Sequence, residues 1–392
     1  MGRYDFDEIV DRTGTDCLKY DFAVRRGRPA DVLPFWVADM DFRIAKEIED
    51  AIVERARHGI FGYTDTTGSY EEAIVEWYRR RFGWTPDAKW IVKTPGVVFA
   101  LAMAIRAYTQ PEDGVLIQRP VYYPFSGTIE ANGRHLINSP LAFDGDRWRI
   151  DFDDLEHKLV TEHVKLMFLC NPHNPVGRVW TADELRRVGD LCIKYDVVIV
   201  SDEIHADFAW EGHPHTVFAA LGEEYAARCL VCTAPSKTFN LAGLQTSNIF
   251  IPDRALRKAF IAEIERAGYS QLNTLGLTAC EAAYRYGEAW LDEARAYIYD
   301  NLIYAAHYME HEIPGIKPYV PEGTYLLWFD CAGLGMTPRE RERFLLEDAK
   351  LWLDSGDMFG SEGSDFERIN VACPRAVLTE GLERLKRAVS KL

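Results

Sequence analysis

The fold is decided by Ser236-Lys237-Thr238-Phe239-Asn240-Leu241-Ala242-Gly243-Leu244, where one lysine lies between hydroxylic residues and an apolar turn with a glycine follows. Two motifs precede it, Asn171-Pro172-His173-Asn174-Pro175 and Ser201-Asp202-Glu203-Ile204-His205, and each follows a run of apolar residues. Such short apolar runs, bounded by turn residues, are typical of buried strands. Three strand-end motifs in this order are not expected by chance. They predict a site at the carboxyl edge of an α/β sheet, where ligands of such folds bind.

The order of helices and strands predicts a doubly wound α/β arrangement. The predicted helices of this part are 45–57, 70–82, 97–108 and one near 123–132. The predicted strands are 114–118, 134–138, 165–170, 196–201, 228–233 and 247–251. Ser69-x-x-Glu72 and Thr181-x-x-Glu184 are capping-box patterns, in which side chains bond the free amides of a first helical turn, so they predict helix starts.

The last third of the chain predicts a smaller α+β domain. A long helical stretch at about 274–311 is followed by shorter elements. These are a strand at 325–329, a helix near 338–350, a strand at 368–372 and a closing helix at 377–390.

Composition limits the classes of function. The chain has 392 residues, 47% of them hydrophobic, which is enough for two domains and a large core. Its net charge of −16 argues against binding to nucleic acid or to anionic membranes, since both need a cationic face. The longest apolar run, 97–105, is far shorter than the roughly 20 residues of a membrane span. The first residues are acidic where a signal peptide is basic, so we expect a cytoplasmic protein.

The cysteines and histidines predict neither disulfides nor a metal site. Several of the eight cysteines lie in apolar contexts, where a thiol behaves as a small hydrophobic group. Cys229 and Cys232 have C-x-x-C spacing, but strand alternation predicts that their thiols point to opposite faces. His205, His213 and His215 lack a second ligand at helical spacing.

Together, the motifs resemble the fold-type I aminotransferase superfamily, whose members depend on pyridoxal phosphate (PLP). The residues at these motif positions are most similar to those of one branch, the PatB/MalY-type C–S β-lyases, which are also called cystathionine β-lyases. That branch is resembled by Trp36-Val37-Ala38-Asp39-Met40-Asp41-Phe42, Asp202-Glu203-Ile204-His205, Thr233 to Asn248 and Ala372-Cys373-Pro374-Arg375. The resemblance covers nearly the whole chain, from about Trp36 to Arg375.

The resemblance implies an aspartate aminotransferase-like fold. Its central sheet is expected to be mainly parallel, with helices on both faces, beside a smaller α+β domain. We expect residues 45–287 to form the large PLP-binding domain and 288–392 the small domain, with 1–44 packing against the latter. The resemblance also implies a homodimer.

Four residues are expected around the cofactor ring. Lys237 is the candidate that bonds PLP covalently and takes the Cα proton, because a lysine in a partly desolvated cleft can be neutral. Asp202 is expected to pair with the ring nitrogen and keep it protonated. Asn174 is expected to donate to the 3′-oxygen, and Tyr122 to stack on the ring, with Tyr123 as the competing assignment.

The cofactor phosphate is expected at a helix start. The backbone amides of Gly96-Val97-Val98 precede a predicted helix and would point at an anion. Ser236 can add a hydroxyl donor. Gln245 stands where many superfamily members have a phosphate-binding arginine. Tyr63 resembles the tyrosine that the partner subunit contributes to the phosphate.

The remaining candidates concern the substrate. Arg375 resembles the small-domain arginine that holds the α-carboxylate as a bidentate fork. Trp36 and Asp39 resemble residues of an N-terminal loop near the substrate side chain. His205 stands where the superfamily commonly has a tyrosine, and contact with the cofactor and contact with the substrate are equally open to it.

The resemblance implies α,β-elimination on an amino acid with a β-sulfur leaving group, such as cystathionine, giving pyruvate, ammonia and a thiol. An aminotransferase is the alternative, because the two reactions share their first steps. A regulator or partner-binding protein with secondary lyase activity is a more remote alternative. The sequence shows no basic helix-turn-helix segment for DNA binding.

Overall fold

A computed structural model describes residues 2–392, which form fifteen β-strands and thirteen α-helices. The strands are β1 (Leu33–Pro34), β2 (Ile91–Thr94), β3 (Gly114–Ile117), β4 (His135–Asn138), β5 (Ala142–Phe143), β6 (Trp148–Arg149), β7 (Val164–Cys170), β8 (Val198–Asp202), β9 (Cys229–Thr233), β10 (Ser247–Phe250), β11 (Lys317–Tyr319), β12 (Leu326–Asp330), β13 (Leu351–Trp352), β14 (Asp354–Ser355) and β15 (Phe366–Asn370). The helices are α1 (Lys46–Arg57), α2 (Gly68–Phe82), α3 (Val97–Tyr108), α4 (Pro124–Ala131), α5 (Phe152–Thr161), α6 (Ala182–Lys194), α7 (Glu223–Ala226), α8 (Pro235–Thr238), α9 (Arg254–Arg266), α10 (Thr274–Tyr286), α11 (Glu288–Glu312), α12 (Pro338–Glu347) and α13 (Arg375–Val389).

The central sheet has seven strands in the order β2-β10-β9-β8-β7-β3-β4. Strands β9, β8, β7, β3 and β4 run parallel to one another, and β10 runs antiparallel to both β9 and β2. The sheet is therefore mainly parallel, as predicted. All six strands predicted for this part lie in it, and β2 is a strand that was not predicted.

Alternation along the strands separates two apolar cores, one on each face of this sheet. On β9, Cys229 and Val231 belong to one core, while Leu230 and Cys232 belong to the other. The prediction that the two thiols point to opposite faces is therefore confirmed. All eight cysteines among the described residues are free.

A second sheet has four antiparallel strands in the order β11-β12-β15-β14. The N-terminal segment reaches the same part of the chain, because β1 pairs in parallel with β13, with Leu33 opposite Leu351 and Pro34 opposite Trp352. This pairing places the loop that follows β1 beside the end of β15. The domain boundaries given above stay a prediction.

Two helix predictions needed correction. The stretch at 274–311 is not one helix, since α10 ends at Tyr286 and α11 begins at Glu288. A Cβ on Gly287 would lie 2.5 Å from Phe239 Cε1, so the close approach of Phe239 requires glycine at this break. Ser69 does not cap α2: the N-cap is Thr67, and the Ser69 hydroxyl bonds Glu281 instead.

The second capping box is confirmed. Thr181 accepts from the Glu184 amide at 3.2 Å, and the Glu184 carboxylate accepts from the Thr181 amide at 2.9 Å. No helix within residues 2–392 is both long and apolar enough to cross a membrane. The same residues contain no group of three or more His, Cys, Asp or Glu side chains arranged to hold a metal ion.

Candidate active site

A cavity of about 490 Å³ lies at the carboxyl edge of the central sheet, beyond the ends of β7 and β8. It brings together most of the predicted cofactor residues, although they are far apart in the sequence. Its lining includes Gly96, Val97, Val98, Tyr122, Asn174, Asp202, His205, Ser236 and Lys237. The edge is the one that the sequence predicted, because loops at the carboxyl ends of parallel strands converge there.

Lys237 lies on α8, directly after β9, and its side chain reaches across the cavity to the N-terminal loop. Its Nζ donates to the Ala38 carbonyl at 2.7 Å. Burial lowers the pKa of Lys237 to about 8, although the charges of Asp39 and Asp202 oppose this shift. A lysine with this pKa is partly neutral near pH 8, which is the form that can attack an aldehyde or take a proton.

Asp202 ends β8 and is buried. Its Oδ1 accepts from the Ile204 amide at 3.2 Å, the one hydrogen bond found for this carboxylate among the described residues. Burial raises the pKa of Asp202 to about 7, and the Ile204 amide and Lys237 only partly oppose this shift. A cationic group bound beside Asp202 would restore its ionised form.

Asn174 is held by an arginine that the sequence analysis missed. Arg368 is buried on β15 and donates from Nη1 to Asn174 Oδ1 at 2.8 Å and from Nη2 to the Trp36 carbonyl at 2.8 Å. It also pairs with Asp354 on the neighbouring strand. Because the Asn174 oxygen is occupied by Arg368, the Asn174 amide group is the one left for a ligand.

Arg375 does not reach this site, contrary to its predicted role. Its Nε donates to Asn301 Oδ1 at 2.6 Å, and its guanidinium lies 4.4 Å from the ring centre of Tyr304. Its backbone amide donates to the Tyr297 hydroxyl at 2.7 Å. Arg375 therefore anchors the start of α13 against α11. The sequence did carry a signal for Arg368, because a charged residue within a predicted strand is unusual and the predicted strand 368–372 begins with this arginine.

Tyr122, rather than Tyr123, lines the cavity. Its backbone amide donates to the Asn174 carbonyl at 3.0 Å, which links the two loops. Burial raises the pKa of Tyr122 above its ordinary value, so its hydroxyl stays protonated. Tyr123 packs edge-on against Phe359, with ring centres 5.8 Å apart, and does not line the cavity.

His205 is buried in the cavity wall, and its ring packs edge-on against Tyr325 at 5.7 Å between centres. Its Nδ1 is buried and has no hydrogen-bond partner among residues 2–392. Burial holds the pKa of His205 well below its ordinary value, so the ring is neutral. Tyr325, which the sequence analysis did not select, donates from its hydroxyl to the Ala38 carbonyl at 2.9 Å. Ala38 thus accepts from both Tyr325 and Lys237.

The predicted phosphate site lies at the start of α3. Gly96 has a φ of 114°, which favours glycine, and its amide donates to Ser247 Oγ at 3.1 Å. That amide is already used, contrary to its predicted role, so the amides of Val97 and Val98 are the free donors of a first helical turn. Ser236 and Gln245 also line the cavity. The side-chain amide of Gln245 donates to the Ala242 carbonyl at 3.1 Å.

Besides Arg375, three predicted residues lie outside this cavity. Tyr63 lies on the segment between α1 and α2 and is 99% exposed. The Trp36 side chain stacks on Trp352 with ring centres 4.4 Å apart, so its carbonyl, not its ring, reaches the site through Arg368. Asp39 pairs with Arg12 at 2.7 Å and lines an adjacent cleft of about 680 Å³, which Lys237 also borders.

The comparisons with known proteins agree with this geometry. The family profile described as Aminotransferase class I and II matches residues 30–385, so the chain belongs to that family. It is 44% identical to cystathionine β-lyase PatB of Bacillus subtilis (strain 168), over 98% of this chain and 100% of PatB.

Two solved structures show the same relationship. Cystalysin from Treponema denticola, which contains a pyridoxal 5′-phosphate cofactor, matches with a TM-score of 0.96 and 37% identity over 99% of each chain. The PLP-bound C–S lyase from Staphylococcus hominis matches with a TM-score of 0.91 and 34% identity over 98% of each chain. The predicted fold class and the resemblance to the C–S β-lyase branch are therefore confirmed.

Proposed function

We propose that this chain is a PLP-dependent C–S β-lyase that cleaves cystathionine or related cysteine conjugates by α,β-elimination. The observation that carries the proposal is one cavity that holds Lys237, whose pKa is lowered to about 8, and Asp202, a buried carboxylate without a cation bonded to it. Both groups are what a pyridoxal cofactor needs at its aldehyde and at its ring nitrogen. The similarity to PatB, cystalysin and the S. hominis enzyme supports the same reaction.

The residues present fit this cofactor. Asp202 would face the ring nitrogen, because its burial requires a countercharge. The Asn174 amide would donate to the 3′-oxygen, and the Tyr122 ring would cover one face of the pyridine. The Val97 and Val98 amides, with the Ser236 hydroxyl nearby, would hold the phosphate at the positive end of α3.

Arg368 replaces Arg375 as the proposed ligand of the substrate carboxylate. It is the arginine held beside Asn174, a residue that lines the cavity, and its charge also contributes to lowering the pKa of Lys237. Its bonds to the Trp36 carbonyl and to Asp354 fix the plane of the guanidinium. A guanidinium held in this way can present a bidentate fork to a carboxylate.

Lys237 is the proposed base. When bound, PLP supplies an electron sink for the negative charge that forms at the substrate Cα. Once the substrate amine had displaced Lys237 from the cofactor aldehyde, the free lysine would take the Cα proton. The electron pair of that C–H bond would expel the β-sulfur, which would leave as a thiol after taking up a proton. Asp39 and the adjacent cleft border Lys237 on the side of the N-terminal loop, where a sulfur substituent has room. The three-carbon fragment that remains would be released as 2-aminoacrylate, and water would hydrolyse its imine tautomer to pyruvate and ammonia.

A homodimer and a cytoplasmic location are also proposed. Tyr63 is almost completely exposed, and Ile60 and Phe61 on the same segment are 68% and 57% exposed, which is unusual for large apolar side chains so close together. If a second copy of the chain covered this segment, Tyr63 of one subunit would reach the phosphate site of the other subunit. The eight free cysteines support a reducing compartment.

The direct test uses the holoenzyme and cystathionine without any keto acid. The lyase proposal expects pyruvate and free thiol in equal amounts, growing with time. An aminotransferase is the second candidate, supported by the family description. It would release no thiol and would need 2-oxoglutarate or another acceptor. Fast acceptor-dependent exchange without thiol release would overturn the lyase proposal.

A further inference from the structure

The segment from Asp202 to Phe208 presents side chains to two sides. Asp202 and His205 line the cavity. Asp207 lies on the other side, where it is buried and does not line the cavity. Hydrogen bonds from the Ala206 amide to the Glu203 carbonyl, at 2.9 Å, and from the Phe208 amide to the His205 carbonyl, at 2.8 Å, keep this segment compact.

One carboxylate oxygen of Asp207 accepts a hydrogen bond from the residue that follows the proposed catalytic lysine. Its Oδ2 accepts from Thr238 Oγ1 at 2.8 Å. Its Oδ1 is buried, lies 3.8 Å from Arg81 Nε and has no hydrogen bond among the described residues. Burial raises the pKa of Asp207, and the charges of Arg81 and Arg295 oppose this shift. The two arginines therefore compensate the charge without competing for Oδ2.

Thr238 is the last residue of α8, the single helical turn that carries Lys237. So short a helix has too few internal hydrogen bonds to hold its own orientation, and tertiary contacts must hold it. Thr238 is buried, and within residues 2–392 its hydroxyl bonds only Asp207. The following residue, Phe239, packs edge-on against Trp77 at 5.3 Å between ring centres. Among the described residues, the Thr238–Asp207 bond is the one hydrogen bond found between α8 and the segment that carries Asp202.

We infer that Asp207 is a positioning residue of this site. By accepting the hydrogen bond of Thr238, it fixes the turn that carries Lys237 relative to Asp202 and His205, which lie on its own segment. The inference rests on the proposed role of Lys237. The Asp207–Thr238 bond sets the distance between the amine that bonds the aldehyde and the carboxylate that faces the ring nitrogen.

The test replaces Thr238 by valine, which keeps the shape of the side chain and removes the hydroxyl. Thr238→Ser keeps the bond. The matched control is Thr233→Val, because Thr233 is equally buried and also makes one hydrogen bond, at 2.6 Å, but that bond goes to the Asn248 carbonyl on β10 and not to the segment that carries Asp202. The readouts on the PLP-loaded protein are the induced circular dichroism of bound PLP, kcat and KM separately, and the melting temperature.

We expect Thr238→Val to lower kcat roughly tenfold or more and to reduce the induced circular dichroism, since small misplacements of reacting groups are costly. KM should change by less than about threefold, because the substrate carboxylate is held elsewhere. Thr238→Ser should restore the wild-type spectrum, and Thr233→Val should lower only the melting temperature.

A double-mutant cycle links the effect to Asp207. Asp207→Asn should change kcat less in the Thr238→Val background than in the wild type, because the two residues act through one bond. Simple addition of the two effects, or a wild-type spectrum and kcat in Thr238→Val, would overturn the inference. If borohydride fails to trap PLP on Lys237, the proposed function fails instead, whatever Thr238→Val does.

Discussion

Replacing Arg368 by lysine tests the assignment that departs most from the sequence prediction. Lysine keeps the positive charge beside Asp354 but loses the planar fork. Alanine would be less informative, because it would leave Asp354 buried without its cation.

The size of the effect follows from the hydrogen bonds of the arginine. A hydrogen bond to a charged group contributes about 1.5–3 kcal/mol, and lysine cannot make the second bond to a substrate carboxylate while it also holds Asn174. The loss of one such bond corresponds to a decrease in kcat/KM of about 10- to 150-fold. We expect most of it in KM for cystathionine, because the carboxylate is bound throughout the reaction.

Arg375→Lys is the matched control. Arg375 bonds Asn301 and packs on Tyr304, away from the cavity, so its replacement should leave kcat/KM within about twofold of wild type and affect stability only. Pyruvate formation over a range of cystathionine concentrations measures both variants. If Arg368→Lys were kinetically normal and Arg375→Lys were impaired, the assignment from the structure would be wrong and the sequence prediction would stand.

Three further predictions concern the cofactor and the assembly. Lys237→Ala should abolish turnover and the PLP adduct that borohydride traps on the wild type, as mass spectrometry of the reduced protein would show; an adduct retained in the variant would disprove the role of Lys237. Capture of PLP by the apoenzyme should accelerate as the pH rises through about 8, because the lowered pKa makes Lys237 neutral there; a rate still climbing near the pKa of an ordinary lysine would contradict this. Mixed dimers of Tyr63→Phe and Lys237→Ala chains should regain activity, since one of their two sites then has both an intact lysine and an intact tyrosine; no recovery after confirmed subunit exchange would count against a shared site.

Most of the cofactor side of the site could be predicted from the sequence, because its residues lie in short motifs at strand ends. The apolar run before Asp202 is β8, and the run before Asn171 is β7, so their side chains meet at one edge. Because β7 and β8 are parallel neighbours, with Cys170 opposite Asp202, the loops that follow these two strands begin side by side. No long-range information was needed.

The substrate side could not be predicted in the same way. Arg368 reaches Asn174 only because β15 pairs with β12 and β14 in a separate sheet, and because the N-terminal loop brings the Trp36 carbonyl alongside. Neither contact is visible in a local pattern. Arg375 was assigned by its resemblance to the small-domain arginine of the family, although a residue at the start of α13 is free to bond along α11 instead.

The Ala38 carbonyl shows how the two halves of the site are joined. It accepts from Lys237 on one side and from Tyr325 on the other. The carbonyls of its neighbours, Val37 and Asp39, both accept from the Asn370 amide, at 2.7 and 2.6 Å. Asn370 follows Arg368 by two residues on β15, so one strand fixes both the arginine and the loop that holds the lysine.

Electrostatics then explains why this assembly suits a cofactor that carries charge. Burial is the largest cause of both shifts, which lower the pKa of Lys237 to about 8 and raise that of Asp202 to about 7. Asp202 is therefore only partly ionised at neutral pH, and Lys237 becomes neutral at a far lower pH than an ordinary lysine. A protonated ring nitrogen beside Asp202 would supply the countercharge that this carboxylate lacks, and the neutral lysine is the form that bonds an aldehyde. The same burial therefore prepares both ends of the cavity for one ligand, with a cation beside Asp202 and a carbonyl carbon beside Lys237.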